Sequence, residues 1–193
     1  MTIENHRNLY LVSDTHFSHK FCSNIRGFAT TEEMNQTLIK NWNTKVSPAD
    51  LVFHLGDFCF GNFNEWERIR KQLNGQIILI KGNHDKLQDT KIQPLFKSIH
   101  SSYLEIKVLD KDALNGKYQP ITLSHYAMRT WNKQHYFSYS LYGHSHGNLP
   151  DDPNALSMDV GLDAVTPKYF PISYNQVKEI LSKKTFKPVD HHK

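Results

Sequence analysis

Leu9-Tyr10-Leu11-Val12-Ser13-Asp14-Thr15-His16 is the stretch that decides the fold. Four residues that favour β-structure, a run of strand length, stop at a carboxylate and an imidazole two positions apart. The pattern recurs. Leu51-Val52-Phe53-His54-Leu55 runs into Gly56-Asp57, and Ile77-Ile78-Leu79-Ile80 runs into Gly82-Asn83-His84-Asp85. Ile121-Thr122-Leu123 stops before His125, and Tyr139-Ser140-Leu141-Tyr142 stops before Gly143-His144-Ser145-His146. Each run reads as a buried strand. Strands laid side by side bring their carboxyl ends to one rim, and the loops leaving that rim carry residues distant in sequence to a common point.

The segments between these strands carry helical signals, as parallel strands require for their crossovers. Thr30 to Glu33 has capping-box spacing and precedes Met34, Leu38 and Trp42 on one face. A second helix is expected to turn Trp66, Ile69 and Leu73 inward and to end at Asn74-Gly75. Residues 86–97 give a weaker helical pattern broken by Pro94. Asn115-Gly116 lies between Leu104–Val108 and Ile121–Leu123, which predicts an antiparallel hairpin and therefore a mixed sheet. Ser173 to Gln176 repeats the capping-box spacing and opens a last helix with Val177, Ile180 and Leu181 on its buried side. Residues 187–193 read as a frayed tail. The pattern predicts one α/β domain over 1–193, a sandwich of two sheets with flanking helices.

A length of 193 residues suits one such domain with a core that needs no staples. Hydrophobic content of 38% and charged content of 22% are ordinary, and no apolar run approaches the roughly 20 residues of a membrane span. The segment 1–7 has no apolar signal core, so a cytoplasmic location is expected. Cys22 and Cys59 form no C-x-x-C pair, which argues against a disulfide framework or a structural zinc site. The net charge of +4 is modest, and Lys183, Lys184 and Lys187 read as a solvated end, so a nucleic-acid partner is not indicated. Histidine is the excess: of 12, six lie in or beside the strand-end motifs, namely His16, His19, His84, His125, His144 and His146.

Those motifs offer the donors of a composite metal site. Asp14 and His16 can turn to one side and grip a cation. Asp57 follows a glycine that tolerates tight turns, and its two oxygens can bridge two ions. Gly82-Asn83-His84-Asp85 adds an amide oxygen, an imidazole and a carboxylate placed next to that imidazole. His144 and His146 add two more imidazoles.

In this order, D-x-H, G-D, G-N-H-D, a lone histidine and G-H-x-H resemble the motif series of the calcineurin-like metallophosphoesterases. The resemblance spans residues 14–146 with all five motifs intact and is nearest to small single-domain bacterial or phage phosphoesterases. It implies a four-layer α/β/β/α fold and two divalent metal ions. One would be held by Asp14, His16, Asp57 and His146, the other by Asp57, Asn83, His125 and His144, with Asp57 as the bridge. Two such ions about 3.5–4 Å apart turn a bridging water into the hydroxide that attacks phosphorus in line. His84 would protonate the leaving oxygen or meet the developing charge, and Asp85 would orient it. Mixed N and O donors suit Mn²⁺, Fe, Zn²⁺ or Ni²⁺, with Mn²⁺ favoured.

Gly56-Asp57-Phe58-Cys59-Phe60-Gly61 lacks the Asp and Arg that follow this motif in protein phosphatases resembling it, which argues against that branch. The expected substrate is a small phosphate ester, most simply a nucleotide-like phosphodiester. A phosphomonoester substrate, a small nuclease, and a non-catalytic scaffold are the alternatives, the last disfavoured because no ligand residue is missing. His54, inside a strand, reads as a satisfied core histidine. Asn83, His19 and Arg129 are candidate substrate contacts, Arg129 because it lies in an aromatic excursion after His125 (Tyr126, Trp131, His135, Tyr136, Phe137, Tyr139) that could wall the cleft. Asp159 and Asp163 are either partners of the metal-bound histidines or part of a surface turn. Oligomeric state is not legible.

Overall fold

The structure is a computed structural model that describes residues 1–5, 8–86, 90–113, 116–187 and 189. Among the described residues, ten strands form two five-stranded sheets. The first has β2 (Leu9–Val12), β3 (Leu51–His54), β4 (Gln76–Ile80) and β5 (Ser98–His100) in parallel order, with β10 (Ile172–Ser173) antiparallel at the β2 edge. The second runs β1 (Thr2–Ile3), β6 (Tyr103–Leu109), β7 (Tyr118–Ser124), β8 (Tyr139–Tyr142) and β9 (Ser157–Asp159). Only β6 and β7 pair antiparallel there. Both sheets are mixed. The hairpin expected at Asn115-Gly116 is present in the β6–β7 pairing, although Asn115 itself lies outside the described residues.

Why the two sheets stack follows from the alternation along the strands. Leu9, Leu11, Phe53, Leu55, Ile78 and Ile80 point into the inter-sheet core, where they meet Ile106, Val108, Ile121, Leu123 and Leu141. Val12, Val52, Ile77 and Leu79 point the other way, onto the helices. A strand buried on both faces must be apolar at every position, which is why these runs do not alternate with polar residues.

Three helices cover that outer face. α1 (Lys20–Ile25) is a short element that the sequence pattern did not suggest. α2 (Thr31–Lys45) buries Met34, Leu38 and Trp42. Its Thr30 hydroxyl accepts from the Glu33 amide at 3.0 Å, but Glu33 answers to Ala29 rather than Thr30, so the capping box is only half closed. α3 (Phe63–Arg70) buries Trp66 and Ile69 and stops before Asn74-Gly75. Arg70 explains the earlier end. Its guanidinium captures the carbonyls of Leu73, Gly75 and Leu95 at 2.7–3.0 Å, holding 71–75 in a non-helical turn that still buries Leu73.

A 3-10 turn, Thr90–Leu95, stands where the weak helix was expected. α4 (Tyr174–Leu181) starts from the full capping box at Ser173 and Gln176 and packs Tyr174, Val177 and Leu181 into the inter-sheet core. Ile180, expected on that face, is 40% exposed. It lies one position off the i, i+3, i+7 line that runs through Tyr174, Val177 and Leu181. The excursion 126–138 is tied to β6 by Asn132 donating to Glu105 and to β7 by Gln119 donating to the Phe137 carbonyl, and it buries its own Trp131 and Gln134. Two mixed sheets flanked by helices are therefore the observed architecture. Among the described residues no helix is long and apolar enough to cross a membrane.

Candidate metal centre

All the motif loops leave the same rim. Ser13, just after β2, forms a parallel bridge with Gly161, just after β9, so the carboxyl ends of the two sheets are stitched together at that edge. Around this seam the structure gathers Asp14, His16 and His146 in one group and Asp57, His125 and His144 in another, with ligand-type atoms within 4.8 Å inside each group. Asp57 stands between them, one oxygen 3.5 Å from both His16 Nε2 and His125 Nε2. Its other oxygen accepts from the His84 amide at 2.8 Å.

The backbone is bent hard to achieve this. Of nine non-glycine residues with positive φ among the described residues, five are Asp14, His16, Asp57, His144 and His146. Each such conformation costs on the order of 1–3 kcal/mol and persists only where surrounding structure enforces it. The enforcement is visible. Asp14 and His16 donate their amides to the carbonyls of Gly56 and Asp57, and Asp14 Oδ2 accepts from the His144 amide at 2.8 Å. Gly56 has φ +103°, and a Cβ there would come 2.6 Å from both Gly82 N and His125 Nδ1, so only glycine lets these loops meet.

Several atoms at the centre lack what their chemistry requires. Among the described residues, Asp14 Oδ1 and both ring nitrogens of His16 are buried with no hydrogen-bond partner, although such groups ordinarily cost about 1–3 kcal/mol each. Burial pushes Asp14 well above the carboxylate range, and burial together with His146 and Arg26 pushes His16 down to about 2, leaving its ring neutral. His125 Nδ1 donates to the Leu55 carbonyl at 2.8 Å, so the lone pair of the neutral ring sits on Nε2. That nitrogen faces Asn83 Oδ1 at 2.9 Å and Asp57 Oδ2 at 3.5 Å, acceptor against acceptor. His144 Nδ1 approaches the same Asn83 oxygen at 3.0 Å. Cations among these atoms would take the lone pairs of Asp14 Oδ1, His16 Nε2 and His125 Nε2 and relieve the opposed acceptors, so the residues present fit a metal centre.

His146 is held from behind. Its Nδ1 lies 2.7 Å from Asp163 Oδ2, which raises its pKa. Asp163 is gripped by Arg26 at 2.6 and 3.0 Å, and the same guanidinium bonds the carbonyls of Asp14 and Thr15. Burial alone would raise Asp163, but the His146 hydrogen bond and the Arg26 charge outweigh it and hold the carboxyl at about 2. Asp159 instead accepts from the amides of Gly161 and Gly147 and braces the turn. Of the two residues left open in the sequence, Asp163 therefore meets a histidine and Asp159 shapes backbone. Arg26 carried no signal of its own, because nothing local says that α1 folds back over the first motif.

Two sequence expectations are corrected. Asp85 does not orient His84: its oxygens accept from the amides of Asp57, Phe58 and Gly82 at 2.8–2.9 Å, so its adjacency in sequence becomes a brace for the Asp57 loop. Arg129 lines a pocket with Trp131, Gln134, Tyr142 and Asp152, and none of the motif residues lines it. Most of the aromatic excursion also turns away, Trp131 and Tyr139 into packing and Phe137 onto Phe186. Only Tyr126 meets the centre, 5.0 Å from the His125 ring and 4.5 Å from that of His144. The opposite border, missed in the sequence, is Phe60, stacked on His19 at 3.9 Å and 5°. His84 stands beside that stack, exposed, 5.5 Å from the His16 ring.

His54 is the satisfied core histidine it was read as. The Gly56 amide donates to its Nδ1, leaving Nε2–H for Thr15 Oγ1, and burial pushes it down to about 3.

Comparison with known proteins agrees with this architecture. A Methanocaldococcus jannaschii protein described as uncharacterized is 32% identical over 190 residues, 92% of this chain and 93% of its own. The gene 66 protein of Mycobacterium phage L5 is 36% identical over 85 residues, 40% of each chain. The solved structure of an Aquifex aeolicus protein of unknown function superimposes with a TM-score of 0.64 at 24% identity, covering 89% of this chain and 98% of that one, and so shares the fold. The family model for the calcineurin-like phosphoesterase superfamily domain matches residues 8–156, the span that carries every strand-end motif. The chain belongs to the calcineurin-like phosphoesterase superfamily, whose members hydrolyse phosphate esters with the aid of divalent metal ions.

Proposed function

We propose that this protein is a dinuclear-metal-dependent phosphodiesterase acting on a small nucleotide-like ester. Asp14, His16, Asp57 and His146 hold one cation and Asp57, Asn83, His125 and His144 the other, with Mn²⁺ the favoured ion. The observation that carries this reading is the acceptor-facing-acceptor arrangement of His125 Nε2, Asn83 Oδ1 and Asp57 Oδ2 beside the orphaned atoms of Asp14 and His16. When bound, the cation pair supplies positive charge for the phosphoryl oxygens and an activated water for the displacement.

The chain's own residues do the rest. Asp163 and Arg26 fix His146 and the carbonyls of the first loop, and Asp85 fixes the second. His84 donates its amide to Asp57, and its ring forms no hydrogen bond among the described residues, so the imidazole is free to give a proton to the leaving oxygen. Diester preference rests on what borders the centre. Arg26 is consumed internally and Arg129 faces another pocket, whereas neutral rings, Phe60 with His19 on one side and Tyr126 on the other, flank His84 and His144. A singly charged diester with an organic arm on each side suits that border better than a dianionic monoester.

The test is kcat/KM of Mn²⁺-loaded protein on bis(p-nitrophenyl) phosphate and on p-nitrophenyl phosphate. Diester preference is expected. A monoester preference would make the protein a phosphomonoesterase on the same centre, and no turnover of either ester with two metals bound would remove the catalytic reading.

A further inference from the structure

α1 begins beside the first motif and carries two largely exposed apolar side chains. Phe21 is 65% exposed and Ile25, one turn on, 60% exposed, so they stand together on one face of the helix. A lone exposed apolar side chain is ordinary, but this pair is continuous with the metal centre. The Phe21 ring lies 6.3 Å from that of His19, His19 is stacked on Phe60, and both His19 and Phe60 lie within 5.8 Å of the His84 ring. His19 is itself fixed by the approach of Cys22 Sγ to its Nδ1 at 3.0 Å. The result is a shelf of rings, Phe21, His19 and Phe60, that starts in solvent and ends at the proposed proton donor.

We infer that this shelf is the leaving-group subsite and selects esters whose departing arm is planar and apolar on its face, such as an aryl group or a nucleobase. The inference rests on the reading of His84 as the donor to the leaving oxygen, because that role puts the departing arm on the His84 side. The arm then lies against Phe60 and Phe21, while the retained arm lies toward Tyr126 and His144. A planar arm covers apolar surface that now faces water, and it stacks without reading hydrogen bonds, so the preference is for ring shape rather than for one base.

The experiment is calorimetric binding of phenylphosphonate and of methylphosphonate to the Mn²⁺-loaded protein, which needs no turnover. Wild type is expected to bind phenylphosphonate roughly tenfold more tightly, the ratio that one ring stacked on the shelf gives. Phe21→Ala should bring that ratio to about 2–3 with methylphosphonate affinity unchanged, because Phe21 is largely solvated and its loss leaves the core intact. Phe60→Leu, which keeps apolar volume, should lower the ratio in the same way. No ring preference in wild type, a preference that survives both variants, or one abolished by Tyr126→Ala instead would overturn the inference. Ring-selective binding by a protein that hydrolyses no ester would keep the shelf as a ring-binding subsite beside the centre and overturn its leaving-group role together with the catalytic reading.

Discussion

Asp163→Asn removes a charge from the back of His146 while keeping the shape of the side chain. Asp163 is 14% exposed and Arg26 2%, so little solvent screens the pair. The carboxyl is held at about 2 against an ordinary 3.8, and a shift of that size corresponds to about 2–3 kcal/mol of folding stability near neutral pH. Because the folded value is depressed, this stability is fully present above pH 3.8 and is lost as the pH falls through about 2. For a chain of this size the loss lowers Tm by roughly 5–10 °C. The assay is calorimetric melting of wild type and variant, both stripped with EDTA, at pH 7 and at pH 3. The variant should melt lower at pH 7, and the gap should narrow at pH 3. Mn²⁺ affinity should also fall by about 10–100-fold, since an imidazole that has lost its carboxylate partner is a poorer ligand. Equal melting temperatures at pH 7 would show that Arg26 and Asp163 do not hold the first loop as described.

Two further outcomes follow from single contacts. A Cβ at Gly143 would overlap Ser13 Oγ and Asp14 Oδ2, so Gly143→Ala should abolish tight binding of one Mn²⁺ by calorimetric titration while far-UV circular dichroism stays native. Away from the centre, buried Asp110 accepts from Tyr174 and Lys178 and ties β6 to α4. Burial opposes ionisation of Asp110, but the Lys178 and Tyr174 hydrogen bonds win and depress it, so the Tm deficit of Asp110→Asn should be largest near pH 7 and shrink as the pH falls below the ordinary carboxylate range.

The strands were legible because β2, β3 and β4 are buried on both faces and must be apolar throughout, a pattern that no surface helix copies. The ligand donors were legible because each sits directly after such a run. What escaped reading depended on contacts between loops far apart in sequence. Asp85 follows His84 in the chain, but His84 turns its ring out to the rim and Asp85 turns inward to three amides of other loops. Arg129 and the aromatic excursion follow His125, yet Arg129 lines a separate pocket and the excursion is tied to β6 and β7, so that of its aromatics Tyr126 alone meets the centre. Phe60 and Arg26 carried no periodic or spacing signal, since the loop after Asp57 and the six-residue α1 acquire meaning only once they are laid against His84 and Asp163.

The central claim is that seven rim residues hold two cations and that His84 acts on the ester without holding either. It is tested most directly by measuring hydrolysis of bis(p-nitrophenyl) phosphate by wild type and His84→Ala, each scored against its metal content. Two Mn²⁺ per chain in both proteins, with kcat in the variant lower by about 10²–10⁴, is the predicted result. Undiminished turnover in His84→Ala, or loss of metal together with activity, would contradict it.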